Sequence, residues 1–426
     1  MSTALPKPPV PKPLAGLRVV ELARVLAGPW CGQLLADLGA EVVKVERPGV
    51  GDDTRQWGPP FVTGPAGEDL GAAYYHSCNR GKRSIAIDIA TADGQAALRD
   101  LLAEADVVIE NYKVGGLAKY GLSPEAMSKD FPRLVVCSVT GFGQTGPYAH
   151  RAGYDFIIQA MSGFMSLTGE PDGPPQKAGI AYADIFTGMY SAVAILAALR
   201  RRDVTGAGAH IDMALLDSQV AVLANQAANY LAGGAVPKRM GNGHANVVPY
   251  QAFATADGEL VIAVGNDGQF RKLCGILGEP GWADDARFAT NAARLANRKA
   301  LIPLLAARIA GWDAQPLSLA LEAEGVPAGP INDMAGVFAD PQVTARGMRF
   351  RPDGASIDGV ASPIVIDGDR MVAPTGAPAA RRLNASRSCG ERRRLDSGRY
   401  LAPLRRGSHG KNRHPGRRPT RPLTKL

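Results

Sequence analysis

The sequence predicts an α/β protein, in which a Rossmann-like parallel sheet forms a large domain and a smaller α+β domain is inserted into it. Short apolar runs alternate with helical stretches throughout the first half of the chain. A segment rich in glycine and basic residues, 233–243, then interrupts this alternation. The length of 426 residues, of which 46% are hydrophobic, is sufficient for about two domains.

Short apolar runs in the first half predict the strands of the parallel sheet. They are residues 17–22, 41–46, 83–89, 107–110 and 134–139. A helix is expected to begin after Pro29 and to end at Gly39, because glycine readily adopts the left-handed conformation that ends helices. Thr91 is the expected N-cap of a helix over residues 92–104, since its hydroxyl accepts a hydrogen bond from an unpaired backbone N–H.

The rest of the chain predicts the domain boundaries. Long helices over residues 185–201 and 215–231 complete the large domain. Residues 248–321 predict a short sheet, with a turn at Asp257-Gly258, followed by helices. The expected division is a flexible arm (1–14), the first part of the large α/β domain (15–232), a small domain (233–334), a return segment to the large domain (335–376) and a basic tail (377–426).

The net charge of +8 is concentrated at the C-terminus. Residues 381–426 hold fifteen Lys and Arg and two acidic residues, which leaves 33 basic and 38 acidic residues before them. The body is therefore mildly acidic, and the basic total does not predict a nucleic-acid partner. The tail lacks apolar periodicity, so disorder is expected there. A shifted reading frame and a genuine basic tail that binds RNA or acidic membranes both account for its composition.

Several classes of protein are disfavoured by the sequence. No apolar run approaches the roughly 18 residues that span a bilayer, and the proline-rich N-terminus lacks the apolar core of a signal peptide, so a cytoplasmic protein without a membrane partner is expected. The cysteines lie far apart, at Cys31, Cys78, Cys137, Cys274 and Cys389. This spacing disfavours disulfides and zinc, and buried free thiols are expected instead.

Common nucleotide and hydrolase motifs are also missing. The turn after the first strand, residues 23–29, has no GxGxxG fingerprint for a dinucleotide. The chain contains no GxxxxGK[ST] phosphate loop and no GxSxG nucleophile elbow. No HExxH occurs and the six histidines are scattered, so no metal is expected.

A string of segments, in order along the chain, resembles the family III CoA-transferases, the type that includes formyl-CoA and carnitine-CoA transferases. The segments are residues 16–52 (beginning GLRVVELARVLAGP), 79–88 (NRGKRSIAID), 108–122 (VIENYKVGGLAKYGL), 138–155 (SVTGFGQTGPYAHRAGYD) and 181–199 (AYADIFTGMYSAVAILAAL). Further segments resemble the branch of that family that acts on succinyl-CoA and glutarate. They are residues 51–62, 228–233, 248–253 and 325–333. The resemblance extends from about Pro13 to Met348.

The resemblance implies that Asp184 is the catalytic nucleophile, because it matches the aspartate of the family's (A/V)(A/T/G)D…(T/G)G segment. Attack of a carboxylate on an acyl-CoA thioester gives a mixed anhydride and CoA thiolate, and the thiolate then forms an aspartyl-CoA thioester. An acid before an apolar helix is also typical of a helix N-cap. Both descriptions can hold, and a helix N-terminus is expected to lower the pKa of Asp184 and keep it ionised.

The resemblance also implies where CoA binds. The matching positions are Leu26, Ala27, Arg47, Ile87 to Ala90, Asn111, Tyr112, Lys113 and Lys119. They follow the ends of predicted strands, where open α/β sheets bind ligands. Arg47, Lys113 and Lys119 are the expected phosphate partners. Some relatives carry lysine at Ala90 and Thr140, so the detailed contacts to CoA differ in this chain.

The family implies an enzyme that forms an interlocked homodimer and takes CoA as an acyl-CoA substrate, with no permanently bound cofactor. Its substrates are an acyl-CoA, expected to be succinyl-CoA, and a carboxylic acid, expected to be a dicarboxylate such as glutarate. The sequence alone leaves the donor, the acceptor and the direction open. The loop from Gly241 to His244 matches a family loop that closes over the active site, and an interdomain linker has the same composition. Arg24 and His244 are candidate contacts for the acceptor carboxylate.

Two alternatives remain at this point. A related branch racemises 2-methylacyl-CoA esters with a histidine in a GHD segment, which here is Gly153-Tyr154-Asp155. Tyrosine does not readily exchange an α-proton near neutral pH, which disfavours a racemase. The other alternative is an inactive CoA-binding protein whose basic tail contacts nucleic acid.

Overall fold

The computed structural model describes residues 11–379 of the chain. The helices are α1 (Ala27–Asp37), α2 (Ala73–Ser77), α3 (Ala92–Ala103), α4 (Pro124–Asp130), α5 (Asp155–Met161), α6 (Phe164–Leu167), α7 (Tyr182–Thr205), α8 (Leu215–Ala221), α9 (Ala224–Gly233), α10 (Asp267–Ile276), α11 (Asn291–Ala296), α12 (Arg298–Ile309), α13 (Ala314–Ala323), α14 (Met334–Ala339) and α15 (Pro341–Ala345). Short 3₁₀ turns cover Asp53–Gln56, Ala118–Tyr120 and Pro280–Ala283.

The strands are β1 (Arg18–Glu21), β2 (Glu41–Glu46), β3 (Phe61–Thr63), β4 (Asp69–Ala72), β5 (Lys82–Ala86), β6 (Val107–Glu110), β7 (Val135–Thr140), β8 (Ala209–Ala214), β9 (Tyr250–Ala254), β10 (Glu259–Ala263), β11 (Ala328–Pro330), β12 (Arg349–Phe350), β13 (Gly359–Val360), β14 (Val365–Ile366) and β15 (Asp369–Arg370).

A six-stranded parallel sheet has the order β5-β2-β1-β6-β7-β8. The chain moves outward from β1 in one direction through β2 and β5, and in the other through β6, β7 and β8. The order therefore reverses between β1 and β6, and ligands of open α/β sheets bind at such a reversal, beyond the carboxyl ends of the strands. The predicted strands are confirmed. The edge strand β8 was not predicted, because His210 and Asp212 are exposed and interrupt its apolar pattern.

Helices cover both faces of this sheet, as the alternation of strands and helices predicts. Val19 packs with Leu35 of α1 and Ile195 of α7 in the core on one face. Its neighbour in β1, Val20, belongs to the core on the other face with Leu98 of α3. Successive side chains of a strand point to opposite faces, so β1 contributes to both cores. This arrangement leaves the carboxyl edge of the sheet as the place where a ligand can reach several strands at once.

A second sheet, β11-β10-β9, is antiparallel and has its own core. The predicted turn at Asp257-Gly258 is confirmed, since Thr255 N donates to Gly258 O at 2.9 Å. Downstream, Ala373 packs into the core of the parallel sheet, and its N–H donates to Asp37 Oδ1. These contacts are compatible with a small domain and a return segment, and both remain predictions.

Details of three predicted elements need correction. The helix over 215–231 is two helices, because the chain turns between α8 and α9 and Ala224 has φ of 45°. The first helix begins at Ala27, two residues before Pro29, and β5 ends at Ala86, since Asp88 starts the turn into α3. The predicted N-cap of α3 is confirmed by the hydrogen bond from Gly94 N to Thr91 Oγ1.

The prediction that no apolar stretch approaches the length of a membrane span was wrong for α7. An 18-residue window of this helix has a mean hydropathy of 1.5 and meets the length and composition expected of a membrane span. Core helices meet the same criteria, and Ile195 and Leu199 of α7 pack over the parallel sheet. Cys31, Cys78, Cys137 and Cys274 are buried free thiols, as expected, whereas Cys389 and the tail from residue 380 onward lie outside the described residues.

Candidate active site

Asp184 lies in the first turn of α7, beside the start of α1. The two helices pack so closely at Gly188 that a Cβ atom there would lie 2.7 Å from Ala27 O. Because residues four apart share one face of a helix, Asp184 lies one turn from this contact. The N-cap of α7 is Ala181, so Asp184 is not the N-cap that the sequence allowed. Glycine at position 188 thus brings the predicted nucleophile close to Leu26 and Ala27, two of the predicted CoA contacts.

The carboxylate of Asp184 is half-buried. Within residues 11–379, no N–H or O–H group donates a hydrogen bond to it. Burial raises the pKa of Asp184 to about 7, and the negative charge of Asp155 adds to this effect. The expectation that the helix N-terminus lowers this pKa was therefore wrong in direction, because burial and a like charge outweigh the helix dipole.

Asp155 contacts the same turn from α5. Its Oδ1 accepts hydrogen bonds from Ala183 N at 2.8 Å and from Asp184 N at 3.3 Å. It therefore satisfies two backbone donors that a helix N-terminus leaves unpaired. Sequence reasoning noticed Asp155 only as part of the Gly-Tyr-Asp segment and assigned it no role.

Tyr74 of α2 also lies near Asp184. Burial raises the pKa of Tyr74, and the carboxylates of Asp184, Asp155 and Asp52 raise it further. The phenol is therefore neutral near pH 7 and keeps its O–H as a donor. Trp57 packs against it edge to face, with ring centroids 5.3 Å apart. The sequence held no signal for Tyr74, because its proximity to Asp184 depends on the tertiary fold.

The reversal point between β1 and β6 is bridged by two hydrogen bonds. Arg24 N donates to Asn111 Oδ1 at 3.0 Å, and Asn111 Nδ2 donates to Arg24 O at 2.7 Å. The Arg24 side chain forms an exposed ion pair with Asp53 at 2.6 Å. Asn111, one of the predicted CoA contacts, thus fixes the backbone that follows β1.

Arg47 and Tyr112 both follow strands at this edge, Arg47 after β2 and Tyr112 after β6. Burial raises the pKa of Tyr112, and the charges of Arg24 and Arg47 act in the opposite direction, so both guanidinium groups lie near the phenol. Arg47 is exposed directly after β2. Tyr112 and Lys113 line a small cavity together with Gln144. Cations grouped at the ends of β1, β2 and β6 form a surface on which phosphates can bind.

The remaining predicted CoA contacts divide into two groups. Leu26 and Ala27 are buried at the start of α1. Ile87 is buried and donates its N–H to Glu46 O, next to Arg47. Two positions lie at the margin of the site and are exposed. They are Ala90, at the turn before α3, and Lys119, whose Nζ lies 4.8 Å from the centroid of the Tyr120 ring.

A buried ion network, which sequence reasoning missed, supports the loop after β1. Lys44 Nζ lies 2.9 Å from Glu21 Oε1 and 2.9 Å from Asp52 Oδ2, and it donates to Ala23 O at 2.7 Å. Asp52 in turn accepts from Val25 N at 3.3 Å. Val25 has φ of 72°, a conformation that a β-branched residue rarely adopts. Such strain persists only where neighbouring contacts hold it, and Lys44 and Asp52 supply them here.

The two candidate contacts for an acceptor acid have other partners. Arg24 is paired with Asp53, as described above. His244 Nδ1 accepts from Asn246 N at 3.0 Å, and its ring packs against Tyr250 with centroids 5.1 Å apart. Gly241 N donates to Gly169 O at 3.0 Å, which fixes one end of this loop against the segment before α7. A role of Arg24 or His244 in acceptor binding therefore remains a prediction.

No group of three or more His, Cys, Asp or Glu that could hold a metal ion is present within residues 11–379. The Asp155 carboxylate and the Tyr74 phenol are the groups whose charges interact with Asp184 among the residues described. A carboxylate nucleophile at Asp184 and the lack of a need for metal both stay predictions.

Comparisons with known proteins find relatives over most of the chain. The model of CoA-transferase family III matches residues 14–381. The chain is 59% identical over 357 residues to the succinate–glutarate CoA-transferase of Agrobacterium fabrum, covering 83% of this chain and 89% of that protein. It is 47% identical over 352 residues to the succinyl-CoA:glutarate CoA-transferase of Mus musculus, with 83% and 79% covered. A crystal structure of a CaiB/BaiF family protein from Brucella suis has a TM-score of 0.79 and 57% identity, covering 88% of this chain and 97% of that chain.

Proposed function

The chain belongs to CoA-transferase family III, and we propose that it transfers CoA from succinyl-CoA to glutarate with Asp184 as the nucleophile. One observation carries the assignment of Asp184. Its carboxylate is half-buried, receives no hydrogen bond from residues 11–379, and lies beside the start of α1 at the carboxyl edge of the sheet. The two relatives named after succinate or succinyl-CoA and glutarate support the choice of substrates.

The proposed reaction exchanges carboxylates and thiolates in four steps. An oxygen of ionised Asp184 attacks the thioester carbonyl of succinyl-CoA, the C–S bond breaks, and CoA leaves as a thiolate from a succinyl-aspartyl anhydride. The thiolate attacks the aspartyl carbonyl and releases succinate, which leaves an aspartyl-CoA thioester. Glutarate attacks this thioester to form a second anhydride and thiolate. The thiolate then attacks the glutaryl carbonyl, which gives glutaryl-CoA and restores Asp184.

The ionisation of Asp184 and the neutral phenol of Tyr74 are compatible with the proposed steps. Once Asp184 is ionised, each step exchanges one anion for another, so no step delivers or removes a proton. Asp184 must be ionised to attack, and with a pKa of about 7 it is partly protonated at neutral pH. Tyr74 supplies a neutral O–H near the reacting carboxylate, a group suited to stabilising negative charge on a carbonyl oxygen.

CoA is proposed to lie along the carboxyl edge of the parallel sheet. Its phosphates are assigned to Arg47 and Lys113, with Lys119 at the margin. The pantetheine arm is assigned to the path past Leu26 and Ala27, which leads towards Asp184. The reversal of strand order between β1 and β6 supports this location, because ligands of open α/β sheets bind beyond the carboxyl ends of the strands at such a point.

A homodimer is proposed as the working form. Large apolar side chains are exposed along α7, where Met189 is 46%, Tyr190 43% and Val193 62% exposed. Leu231 of α9 is 81% exposed. Apolar groups exposed together along one helix, as on α7, are typical of surfaces that a partner covers. An interlocked arrangement, the inserted small domain and a cytoplasmic location complete the proposal.

The test is incubation of the protein with succinyl-CoA and glutarate, with glutaryl-CoA and succinate as the measured products. Stoichiometric formation of both supports the proposal. A second incubation with a 2-methylacyl-CoA in heavy water detects α-proton exchange, which the racemase alternative predicts. Exchange without transfer would contradict the proposal. Absence of both reactions, with CoA still bound, would favour the inactive CoA-binding protein.

A further inference from the structure

Asp155 is attached to the first turn of α7 although it belongs to α5. A single oxygen, Oδ1, accepts from the N–H groups of Ala183 and Asp184, at 2.8 and 3.3 Å. The N-cap position itself, Ala181, has no side chain that can perform this task. The backbone N–H groups of Ala183 and Asp184 are therefore held by a residue outside α7. This fixes the position of the Asp184 backbone, from which its side chain extends.

Asp155 is itself held in place by Gln159, one turn further along α5. Gln159 Nε2 donates to Asp155 Oδ2 at 2.6 Å, and Gln159 Oε1 accepts from Ala178 N at 2.9 Å. Gln159 is fully buried. The two side chains thus connect α5, the segment before α7 and the first turn of α7. Because both the nitrogen and the oxygen of the buried Gln159 amide are hydrogen-bonded, Gln159 holds Asp155 in one orientation.

The groups that face Asp184 leave the negative charge of Asp155 uncompensated by a cation. Asp155 approaches from α5 and Tyr74 from α2, and Asp52 and Cys78 act on Tyr74. No lysine or arginine among residues 11–379 contributes to the pKa of Asp184, whereas Asp155 raises it. When Asp184 is acylated its charge disappears, and so does its repulsion with Asp155. The negative charge of Asp155 therefore destabilises the free carboxylate of Asp184 more than it destabilises the anhydride or the thioester formed on Asp184.

We propose that Asp155 is a positioning residue for the transfer reaction, which orients Asp184 through its backbone and destabilises the free carboxylate through its charge. This inference rests on Asp184 being the nucleophile of the proposed function. It assigns Gln159 the role of fixing Asp155. Among residues 11–379, neither side chain is hydrogen-bonded to the carboxylate of Asp184.

Variants of Asp155 and Gln159 separate the two effects. Asp155→Asn keeps Oδ1 as an acceptor for the two N–H groups but removes the charge and the acceptor for Gln159 Nε2. The pH at which activity is half-maximal should therefore fall by about one unit or more, with a loss of kcat no larger than that of Gln159→Leu. Asp155→Ala removes both effects and should lower kcat at every pH by about a hundredfold, through loss of orientation. Gln159→Leu should lower kcat while leaving the half-maximal pH near that of the unmodified protein. Asp172→Asn, a charge change in an exposed turn, is the matched control and should change neither quantity.

Two readouts over pH 5 to 9 distinguish failure of this inference from failure of the proposed function. The first is kcat for transfer between succinyl-CoA and glutarate, with thermal melting of each variant as a check on folding. The second needs no substrate: labelling of the Asp184 peptide by a carbodiimide and an amine, followed by mass spectrometry, reports the ionisation of Asp184 even if no transfer occurs. An unchanged midpoint of labelling in Asp155→Asn would overturn the charge effect. Unchanged kcat in folded Asp155→Ala would overturn the positioning effect.

Discussion

Two groups of carboxylates lie near the carboxyl edge of the parallel sheet, and they differ in what faces them. In the first group, Glu21 and Asp52 each lie 2.9 Å from Lys44, and Glu46 lies 2.7 Å from Arg55. In the second group, Asp155 and Asp184 face each other's charge without a cation from residues 11–379. Both groups lie near the edge of the sheet where ligands are expected to bind, but only the carboxylates of the first group are paired with cations.

The pKa values follow this difference. Burial by itself would raise the pKa of both Asp52 and Glu46, but Lys44 and Arg55 outweigh it, and both pKa values are lowered. At Asp184 burial and Asp155 act in the same direction and raise the pKa to about 7. Paired buried charges hold a structure in one form, and an unpaired one is a candidate for chemistry. The comparison therefore describes the first group as a support of the fold and is consistent with the second as the proposed reactive centre.

The largest effect should come from the reactive centre. Asp184→Asn keeps the size of the side chain but replaces the carboxylate with a poor nucleophile, so transfer should fall by at least about a thousandfold. The binding of CoA and the melting temperature should change little, which isothermal titration and thermal unfolding will show. Asp203→Asn, at the exposed far end of the same helix, is the matched control and should keep full activity.

A stability effect of similar size should come from the supporting group. Lys44→Met leaves Asp52 buried without a cation and leaves Glu21 with Lys82, 2.7 Å away, as its remaining partner. The loss of Lys44 should lower the free energy of unfolding by about 3–5 kcal/mol. Lys272→Met removes a lysine that lies on the surface, 3.8 Å from Glu324, and should cost at most about 1 kcal/mol. Denaturant unfolding of both variants measures the difference. Equal losses would show that the buried network does not support the fold as described.

The smallest effect should come from the exposed cation that follows β2. Arg47→Ala should weaken CoA binding by about tenfold if it holds a phosphate, and the loss should shrink as salt is added. Arg83→Ala removes an arginine from the opposite edge of the same sheet, where it pairs with Glu41, and should leave the affinity unchanged. A dissociation constant that is the same for Arg47→Ala and the unmodified protein would remove Arg47 from the phosphate site.

The sequence predicts most of the fold and one of the two aspartates of the proposed reactive centre. Apolar runs identify the buried strands because both faces of the parallel sheet are covered. Asp184 is identifiable because its segment resembles the family motif, and the family assignment is confirmed by the match over residues 14–381. Asp155 escapes this reasoning because it bonds to residues 28 and 29 positions away.

Lys44 shows the second limit of sequence reasoning. In the run EVVKVE its charge suggests a side that faces solvent, yet it is 1% exposed. Its burial depends on Glu21, from a neighbouring strand, and on Asp52, from the loop beyond. Local patterns identify the elements of this fold, but they do not identify which charges meet when the elements pack.

Covalent capture of the intermediate tests the role of Asp184 most directly. The tryptic peptide of residues 178–200 contains one carboxylate side chain, that of Asp184. Incubation with succinyl-CoA followed by hydroxylamine or borohydride should modify this peptide at Asp184, and Asp184→Asn should leave it unmodified. The neighbouring peptide of residues 152–177, which contains Asp155, should remain unmodified in both. A modification on that peptide or elsewhere, or transfer at the full rate by Asp184→Asn, would contradict the assignment of Asp184 as the nucleophile.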